Sequence, residues 1–386
     1  MKILNIAFSG LPLFKGKVEV DFIASQRVKE GNELSFLFQN GKNNYYANNV
    51  ISFIGLNASG KTSVLKVLSF VFSLLNNEPL NNTKYPEIFD GLKEKQEVTF
   101  KISFLSSQSL YFLSTSLVKK EKRLFITNES LKEKSIKTIK TKSDLFNQDN
   151  AKCIVQRNDD EAFLSDDVSI MIAFNKQSKD KAMYTDMLKY TNENHLALSE
   201  DCPAELIAFF DPSIEHINVK QVGKDKIVSL KFYKKPEIIL NRINDVERYL
   251  SSGTIKGINL FLNAFEAFQK GGYLLIDELE NHFNHEIVST LLHFYMNKNI
   301  NAAGATLLFS THYAELLDQF QRNDCIYIVR NTNGVSIENL SKILNRNDIK
   351  KSGAYQSDFL KGTAPKYDAY IALKNKLLVN GEKENG

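Results

Sequence analysis

Residues 55–62 read Gly-Leu-Asn-Ala-Ser-Gly-Lys-Thr, which matches the pattern G-x-x-x-x-G-K-[ST] of a phosphate-binding loop. The glycines permit a tight backbone path, on which successive N–H groups point at phosphate oxygens. The lysine would reach the β- and γ-phosphates, and the threonine hydroxyl would bind Mg²⁺. A chance Gly/Ser-rich turn is the alternative. We predict nucleotide contacts at Gly55, Asn57, Ala58, Ser59, Gly60, Lys61 and Thr62.

Two adjacent acids, Asp277 and Glu278, follow the apolar run Tyr273–Ile276. At the end of a strand, consecutive side chains leave on opposite sides. One acid can therefore complete a Mg²⁺ shell while its neighbour orients a water molecule. We assign Asp277 to the metal and Glu278 to water activation. A solvated acidic turn is the alternative, and it is less favoured when a phosphate-binding loop is present.

Two further groups occur at informative places in the chain. Ser251 and Gly253 begin a predicted helix, and Ser251 precedes Asp277 by 26 residues. His312 ends the run Ser310-Thr311-His312, where an imidazole can contact a γ-phosphate or an attacking water. Alone, a Ser-rich helix start is commonly an N-cap and a histidine after a strand is commonly structural. Their order along the chain favours the functional interpretation.

The elements that must position these residues alternate between strand and helix. Val50–Ile54 predicts a buried strand before the loop, and residues 63–72 have helical apolar spacing. Such alternation implies a parallel sheet with helices outside it. Later in the chain we predict strands at Ile227–Tyr233, Tyr273–Ile276, Ala305–Ser310 and Cys325–Val329, and helices at Ile238–Tyr249, Ile255–Phe268, His285–Asn297 and Tyr313–Phe320.

The remaining segments differ in character. Residues 26–48 are polar and broken by glycines, and residues 130–225 lose clear periodicity. Helix-like spacing recurs in Val168–Phe174, Met183–Tyr190 and Ala204–Phe210. We predict further strands at 3–8, 17–23, 97–105, 110–118 and 123–127, the last three as an antiparallel meander. The predicted division is an N-terminal lobe (1–128), an inserted arm or lid (129–226) and a C-terminal lobe (227–386).

The order of loop, long insertion, Ser-x-Gly helix start, acid pair and histidine resembles the ATP-binding-cassette (ABC) ATPases of the SMC and RecF type. The resemblance covers residues 1–125 and 226–365, with a weaker likeness at Gly362–Pro365. It implies an α/β fold: an ABC-type P-loop ATPase head with a mixed or parallel sheet, an antiparallel β subdomain and an inserted helical arm. The chain is also similar to AAA-domain proteins related to the overcoming-lysogenization-defect (OLD) nucleases. This similarity lies in the run Asp277-Glu278-Leu279-Glu280-Asn281-His282-Phe283-Asn284-His285.

The resemblance implies a head-to-head homodimer, or a higher oligomer, that sandwiches ATP and Mg²⁺. Ser251 and Gly253 would meet the γ-phosphate of nucleotide held by the second subunit, and His312 would sense that phosphate. Many relatives act in phage defence beside a separately encoded effector nuclease, so we expect an ATPase that regulates an effector. We also expect the Toprim nuclease domain of full-length OLD proteins to be absent.

Other functions stay open at this point. One is a RecF-like DNA-maintenance ATPase, and another is a nucleotide-gated scaffold with negligible turnover. A transporter ATPase is not favoured, because the insertion is long and the acid pair is distant from the loop. For the Q-loop glutamine of this family, neither Gln108 nor Gln156 can be assigned.

Composition restricts the remaining possibilities. With 43% apolar residues and a net charge of +4, the chain can bury a core and is not basic overall. Residues 119–142 carry nine basic and three acidic residues. This block indicates either a patch that binds nucleic acid or a solvated lysine-rich loop, and we favour the loop. For His282 and His285, surface positions are favoured over a metal site, because H-E-x-x-H is missing. Three scattered cysteines, no signal peptide and no long apolar run predict a reduced cytoplasmic protein.

Overall fold

The structure is a computed structural model that describes residues 1–28, 34–157, 164–178, 180–190, 196, 202–222, 225–281, 283–363, 368, 370–372 and 374–377. Its strands are β1 (Lys2–Ser9), β2 (Val18–Asp21), β3 (Leu34–Asn40), β4 (Asn43–Asn48), β5 (Val50–Ile54), β6 (Val98–Ser106), β7 (Ser109–Lys120), β8 (Arg123–Ser135), β9 (Lys152–Gln156), β10 (Tyr184–Asp186), β11 (Ile214–Val222), β12 (Asp225–Phe232), β13 (Ile238–Leu240), β14 (Tyr273–Ile276), β15 (Thr306–Thr311), β16 (Ile326–Asn331) and β17 (Val335–Asn339). Its helices are α1 (Lys61–Leu75), α2 (Met171–Ser178), α3 (Ala204–Phe210), α4 (Ser252–Lys270), α5 (His285–Met296), α6 (Leu340–Ile343) and α7 (Lys351–Gln356).

A six-stranded central sheet has the order β10-β14-β15-β5-β16-β17. Its first five strands are parallel, and β17 pairs antiparallel with β16. Every residue of β5, β14 and β15 is buried, as expected for strands covered on both faces. These three strands are neighbours, so the loop after β5, the acid pair after β14 and the histidine after β15 emerge at one edge.

The two faces of this sheet pack into different cores. Ile51, Phe53 and Leu275 point towards α1 and the antiparallel sheet β2-β1-β6-β7-β8-β9. Their neighbours Ile54 and Ile276 point the other way, into a core that includes buried residues of α4 and α5. Alternation along each strand therefore divides one continuous apolar run between two layers of cover. The predicted α/β fold class, with its mixed sheet and antiparallel β subdomain, is confirmed.

Two predicted helices differ from the structure, and one segment without a predicted element forms a hairpin. Instead of a helix over Ile238–Tyr249, β13 pairs with β12 and a short 3₁₀ helix, Ile243–Arg248, follows. The predicted helix Tyr313–Phe320 is a 3₁₀ helix over Ala314–Gln319. The polar stretch 26–48 contains the hairpin β3–β4, whose Phe38 stacks on Tyr45. In each case, pairing or packing with other segments overrides the local propensity.

The predicted arm shares much of its backbone with the two large sheets. Strand β8 runs through the proposed boundary at residue 129, and β9 pairs beside it. Within the predicted helical stretch Met183–Tyr190, β10 pairs in parallel with β14 at the edge of the central sheet. The prediction of a mostly helical arm was wrong here, because a three-residue strand is defined by its partner and leaves little local pattern. The division at 129–226 itself stays a prediction.

None of the helices in the described parts of the chain combines the length and hydropathy that a bilayer crossing requires.

Candidate functional site

The loop between β5 and α1 has a backbone path that only glycine fits at two points. Gly60 has φ +97°, and a Cβ atom there would lie 2.4 Å from Val335 Cγ2. A Cβ on Gly55 would lie 2.3 Å from the Val329 carbonyl oxygen. Ser59 Oγ is buried and has no hydrogen-bond partner among the described residues. The loop leads directly into the N-terminus of α1, where free N–H groups and the helix dipole favour an anion.

Lys61 is held inside this loop and is only 5% exposed. Its Nζ donates to the carbonyl oxygens of Gly55 at 2.9 Å and Leu56 at 3.1 Å, and lies 3.2 Å from His312 Nδ1. Burial lowers the pKa of Lys61, while the charges of Asp277, Glu278 and Glu280 oppose that shift. A cation that is poorly hydrated and close to its own carbonyl groups interacts strongly with an anionic ligand.

Asp277 joins the end of β14 to the loop and to the neighbouring strand. Its Oδ2 accepts a 2.7 Å hydrogen bond from Thr62 Oγ1, and its Oδ1 accepts one from Ser310 Oγ. A hydroxyl and a carboxylate oxygen therefore lie together at the start of α1. Oxygen donors of this kind fit Mg²⁺, which also takes ligands from substrate phosphates.

Glu278 and His312 face each other across the ends of β14 and β15. His312 Nε2 lies 3.0 Å from Glu278 Oε1. An ammonium can only donate, so His312 Nδ1 must accept the hydrogen bond from Lys61. The ring proton is therefore assigned to Nε2, which donates to the carboxylate of Glu278. The hydrogen bond from His312 lowers the pKa of Glu278, with help from Asn281 and against partial burial. Glu278 is thereby kept ionised, as a base or water-orienting group must be.

One cleft of about 400 Å³ is lined by residues 57–63 of the loop and the start of α1, together with Glu278 and His312. Asp277 is not among its lining residues, but it contacts Thr62, which is. The other walls of the cleft come from Leu13, Asn331 and Val335, which the sequence did not identify. The β1–β2 loop reaches the cleft by pairing with β17, through Val335 N–H to the Leu13 carbonyl oxygen at 2.8 Å. Asn331 Nδ2 donates to the Ala58 carbonyl oxygen at 3.3 Å. No local pattern signals these residues, because strand register alone places them.

Ser251 and Gly253 lie elsewhere. Ser251 is the N-cap of α4, and its Oγ accepts the Thr254 N–H at 3.0 Å. Ser251 is exposed and Gly253 is half-buried. Neither Ser251 nor Gly253 is among the described residues that line the cleft. Any contact they make with nucleotide would therefore have to come from another subunit or from a rearrangement.

His285 and the two glutamines considered for the Q-loop are separate from the cleft. His282 lies outside the described residues, and His285 begins α5 with Nδ1 3.2 Å from Ser289 Oγ. Within the described ranges, no group of three or more His, Cys, Asp or Glu side chains is arranged to hold a metal ion. Gln108 lies in the β6–β7 turn and Gln156 ends β9, and neither lines the cleft.

Comparison with known proteins gives one family. A family model described as "AAA domain, putative AbiEii toxin, Type IV TA system" matches residues 50–168 and 231–318, more than half of the chain. The first stretch contains the phosphate-binding loop, and the second contains the residues that follow β14 and β15. The interval between them, 169–230, overlaps the predicted insertion as far as residue 226. No curated protein matches the chain.

Proposed function

The chain belongs to this family of AAA-domain P-loop ATPases, and from that membership we propose that it binds Mg²⁺–ATP in the cleft and hydrolyses the γ-phosphate. The observation that carries the proposal is the convergence of three strand ends on one edge. There Thr62 contacts Asp277, and His312 lies between Lys61 and Glu278. A phosphate-release assay on the purified wild-type protein tests it, and a rate no higher than that of a Lys61→Ala variant would indicate a nucleotide-gated scaffold instead.

The proposed chemistry depends on positioning and charge. The loop N–H groups and Lys61 bind phosphate oxygens, and Thr62 and Asp277 would hold Mg²⁺. When bound, Mg²⁺ neutralises charge on the β- and γ-phosphates. Glu278 orients the attacking water and accepts its proton. His312 donates Nε2–H to Glu278 and so holds that carboxylate at the edge of the cleft.

We further propose that ATP closes a homodimer. The N-terminus of α4, with Ser251 and Gly253, would supply partial positive charge to the nucleotide of the second copy. Such a contribution would suit the cleft, because three carboxylates, those of Asp277, Glu278 and Glu280, act electrostatically on Lys61, the one ammonium among the described residues that line it.

Exposed apolar side chains at the cleft and next to Ser251 support the proposed dimer contact. Leu13 on the cleft wall is 41% exposed, Tyr249 before Ser251 is 45% exposed, and Tyr313 after His312 is 50% exposed. In the proposed dimer, Leu13 and Tyr313 at the cleft would face the surface that carries Tyr249, and grouped exposed apolar side chains are typical of a surface that a partner covers. A second copy docking on ATP would remove them from water.

The biological role that we propose is regulation of a separately encoded effector in antiviral defence, as in OLD-like ATPases. Support comes from the family description, which names a putative toxin of a Type IV TA system. Co-purification of the chain with the products of its neighbouring genes, with and without ATP, tests this role. Recovery of the chain alone in both conditions would contradict it.

A RecF-like ATPase that binds DNA is the second candidate. The isolated bridge between Glu94 and Lys119 brings exposed Lys93 and Lys95 beside the β7–β8 turn, which carries Lys119, Lys120, Lys122 and Arg123. These six cations form a local patch suited to phosphates. Two other lysines of the block 119–142 bind backbone carbonyls instead, Lys134 those of Asp144 and Asn147 and Lys142 those of Ala24, Ser25 and Gln26. A duplex-DNA mobility shift that weakens with salt would support this candidate, and no shift at low salt would exclude it.

A further inference from the structure

We propose that Glu280 is a positioning residue that holds His312 in register with Glu278. Its Oε1 accepts the backbone N–H of His312, and the residue is 5% exposed. The catalytic consequence rests on the proposed ATPase function, whereas the effect on the imidazole does not. The positioning can therefore be measured whether or not the chain turns over ATP.

Two adjacent segments are fastened to each other at this point. The Glu278 N–H donates to Ser310 Oγ at 2.7 Å, and the Leu279 N–H donates to the Ser310 carbonyl oxygen at 3.1 Å. The Glu280 carboxylate adds the contact to His312 itself, the first residue after β15. The 3.0 Å separation of His312 Nε2 and Glu278 Oε1 depends on this alignment of the two strand ends.

The chemistry of Glu280 argues against a purely space-filling role. Its second oxygen, Oε2, is buried and has no hydrogen-bond partner within the described part of the chain. Burying a carboxylate with so few donors is costly, and an apolar side chain of the same size would avoid that cost. The carboxylate also favours the charged form of Lys61, which lies on the other side of the same imidazole. Glu280 therefore acts on two members of the triad formed by Lys61, His312 and Glu278: it accepts the backbone N–H of His312 and favours the charged form of Lys61.

The test compares two variants of nearly equal side-chain volume. Glu280→Gln keeps an acceptor for the His312 N–H, whereas Glu280→Met removes it. In protein labelled with ¹⁵N-histidine, the His312 ring signals are identified by their loss in His312→Gln. We expect the Nε2–H tautomer in wild type and in E280Q, and a mixture of tautomers in E280M. Asp318→Ala is the matched control, because its carboxylate accepts the Ser352 backbone N–H at 3.0 Å away from the cleft.

Turnover gives the second readout. Misplacing a catalytic group by about 1 Å can cost up to about 100-fold in rate, so kcat of E280M should fall at least about 10-fold. Any change in the KM for ATP should be equal in E280M and E280Q, because both variants remove the charge that acts on Lys61. E280Q keeps the acceptor for His312 and should therefore hold kcat within about 3-fold of wild type.

The outcomes separate the two proposals. If folded E280M gives the same His312 ring signals as wild type, the positioning role is overturned. If the signals of E280M and E280Q are disturbed equally, the role is also overturned, because the effect then comes from the charge of Glu280 alone. If wild type shows no turnover, the proposed function fails while the ring signals still decide the role of Glu280. If E280M does not fold, hydrogen exchange at the His312 amide of wild type decides: slow exchange supports the hydrogen bond, and exchange within the dead time of the measurement overturns it.

Discussion

Thr62 Oγ1 donates a 2.7 Å hydrogen bond to Asp277 Oδ2, although the two residues are 215 positions apart in the chain. One begins α1 after the phosphate-binding loop, and the other follows β14. Since β5 and β14 both pair with β15, their carboxyl ends lie close together at one edge. This contact brings together a hydroxyl and a carboxylate oxygen, the kind of donors that Mg²⁺ prefers, as the proposed magnesium site requires.

Replacing Lys61 with alanine should weaken ATP binding. Removal of hydrogen bonds from a charged donor costs roughly 1.5–3 kcal/mol, so affinity should fall by about 10- to 100-fold. Titration with a fluorescent ATP analogue measures the effect. Lys66→Ala is the control, because Lys66 lies on the same helix but pairs with Glu87 at 2.8 Å. Equal affinities of K61A and K66A would contradict the assignment.

Glu278→Gln should bind ATP and hydrolyse it at least about 100-fold more slowly, because a general base contributes that much or more. Glutamine can still accept from His312 but cannot take a proton from water. Nucleotide would then remain bound, and light scattering after size exclusion should show a stable dimer with Mg²⁺–ATP. Glu286→Gln, an exposed change in the first turn of α5, is the control. Unchanged turnover in E278Q would remove Glu278 from this role.

Mixing two inactive variants tests whether Ser251 acts across a dimer. Lys61→Ala and Ser251→Arg should each be inactive alone. In a two-fold dimer, a mixed pair contains one site with both defects and one intact site, so an equal mixture should recover about a quarter of wild-type activity. If Ser251 served the nucleotide of its own subunit, each mixed site would carry one defect. Activity that stays at background in the mixture, despite hetero-dimer formation, would therefore rule out the proposed arrangement.

His312→Ala should change the pH dependence of turnover. The hydrogen bond from His312 is the largest cause of the lowered pKa of Glu278. Without it, the pKa of Glu278 rises, and the carboxylate becomes protonated at a higher pH. The acidic limb of the kcat profile should then move to higher pH, while turnover in the alkaline range falls less. A limb at the same pH in wild type and H312A would show that Glu278 does not govern it.

Local sequence was sufficient for the parts of the site that depend on short-range geometry. The phosphate-binding loop is one contiguous turn, so its glycines and its lysine are visible in eight residues. Buried parallel strands are continuous apolar runs, which is why β5, β14 and β15 were predicted within one or two residues of their observed bounds. The N-cap at Ser251 is likewise a local feature.

Only the tertiary structure decided which side chains share the cleft. Leu13 and Val335 reach it through strand pairing between distant segments, and Glu280 meets His312 from a neighbouring strand end. Strand β10 has the same origin, as has the division of the basic block between an exposed patch and lysines that bind backbone carbonyls. Strand register and the packing of one sheet against another set these contacts. Neither produces a periodic pattern in the local sequence, because each depends on two segments that are far apart in the chain.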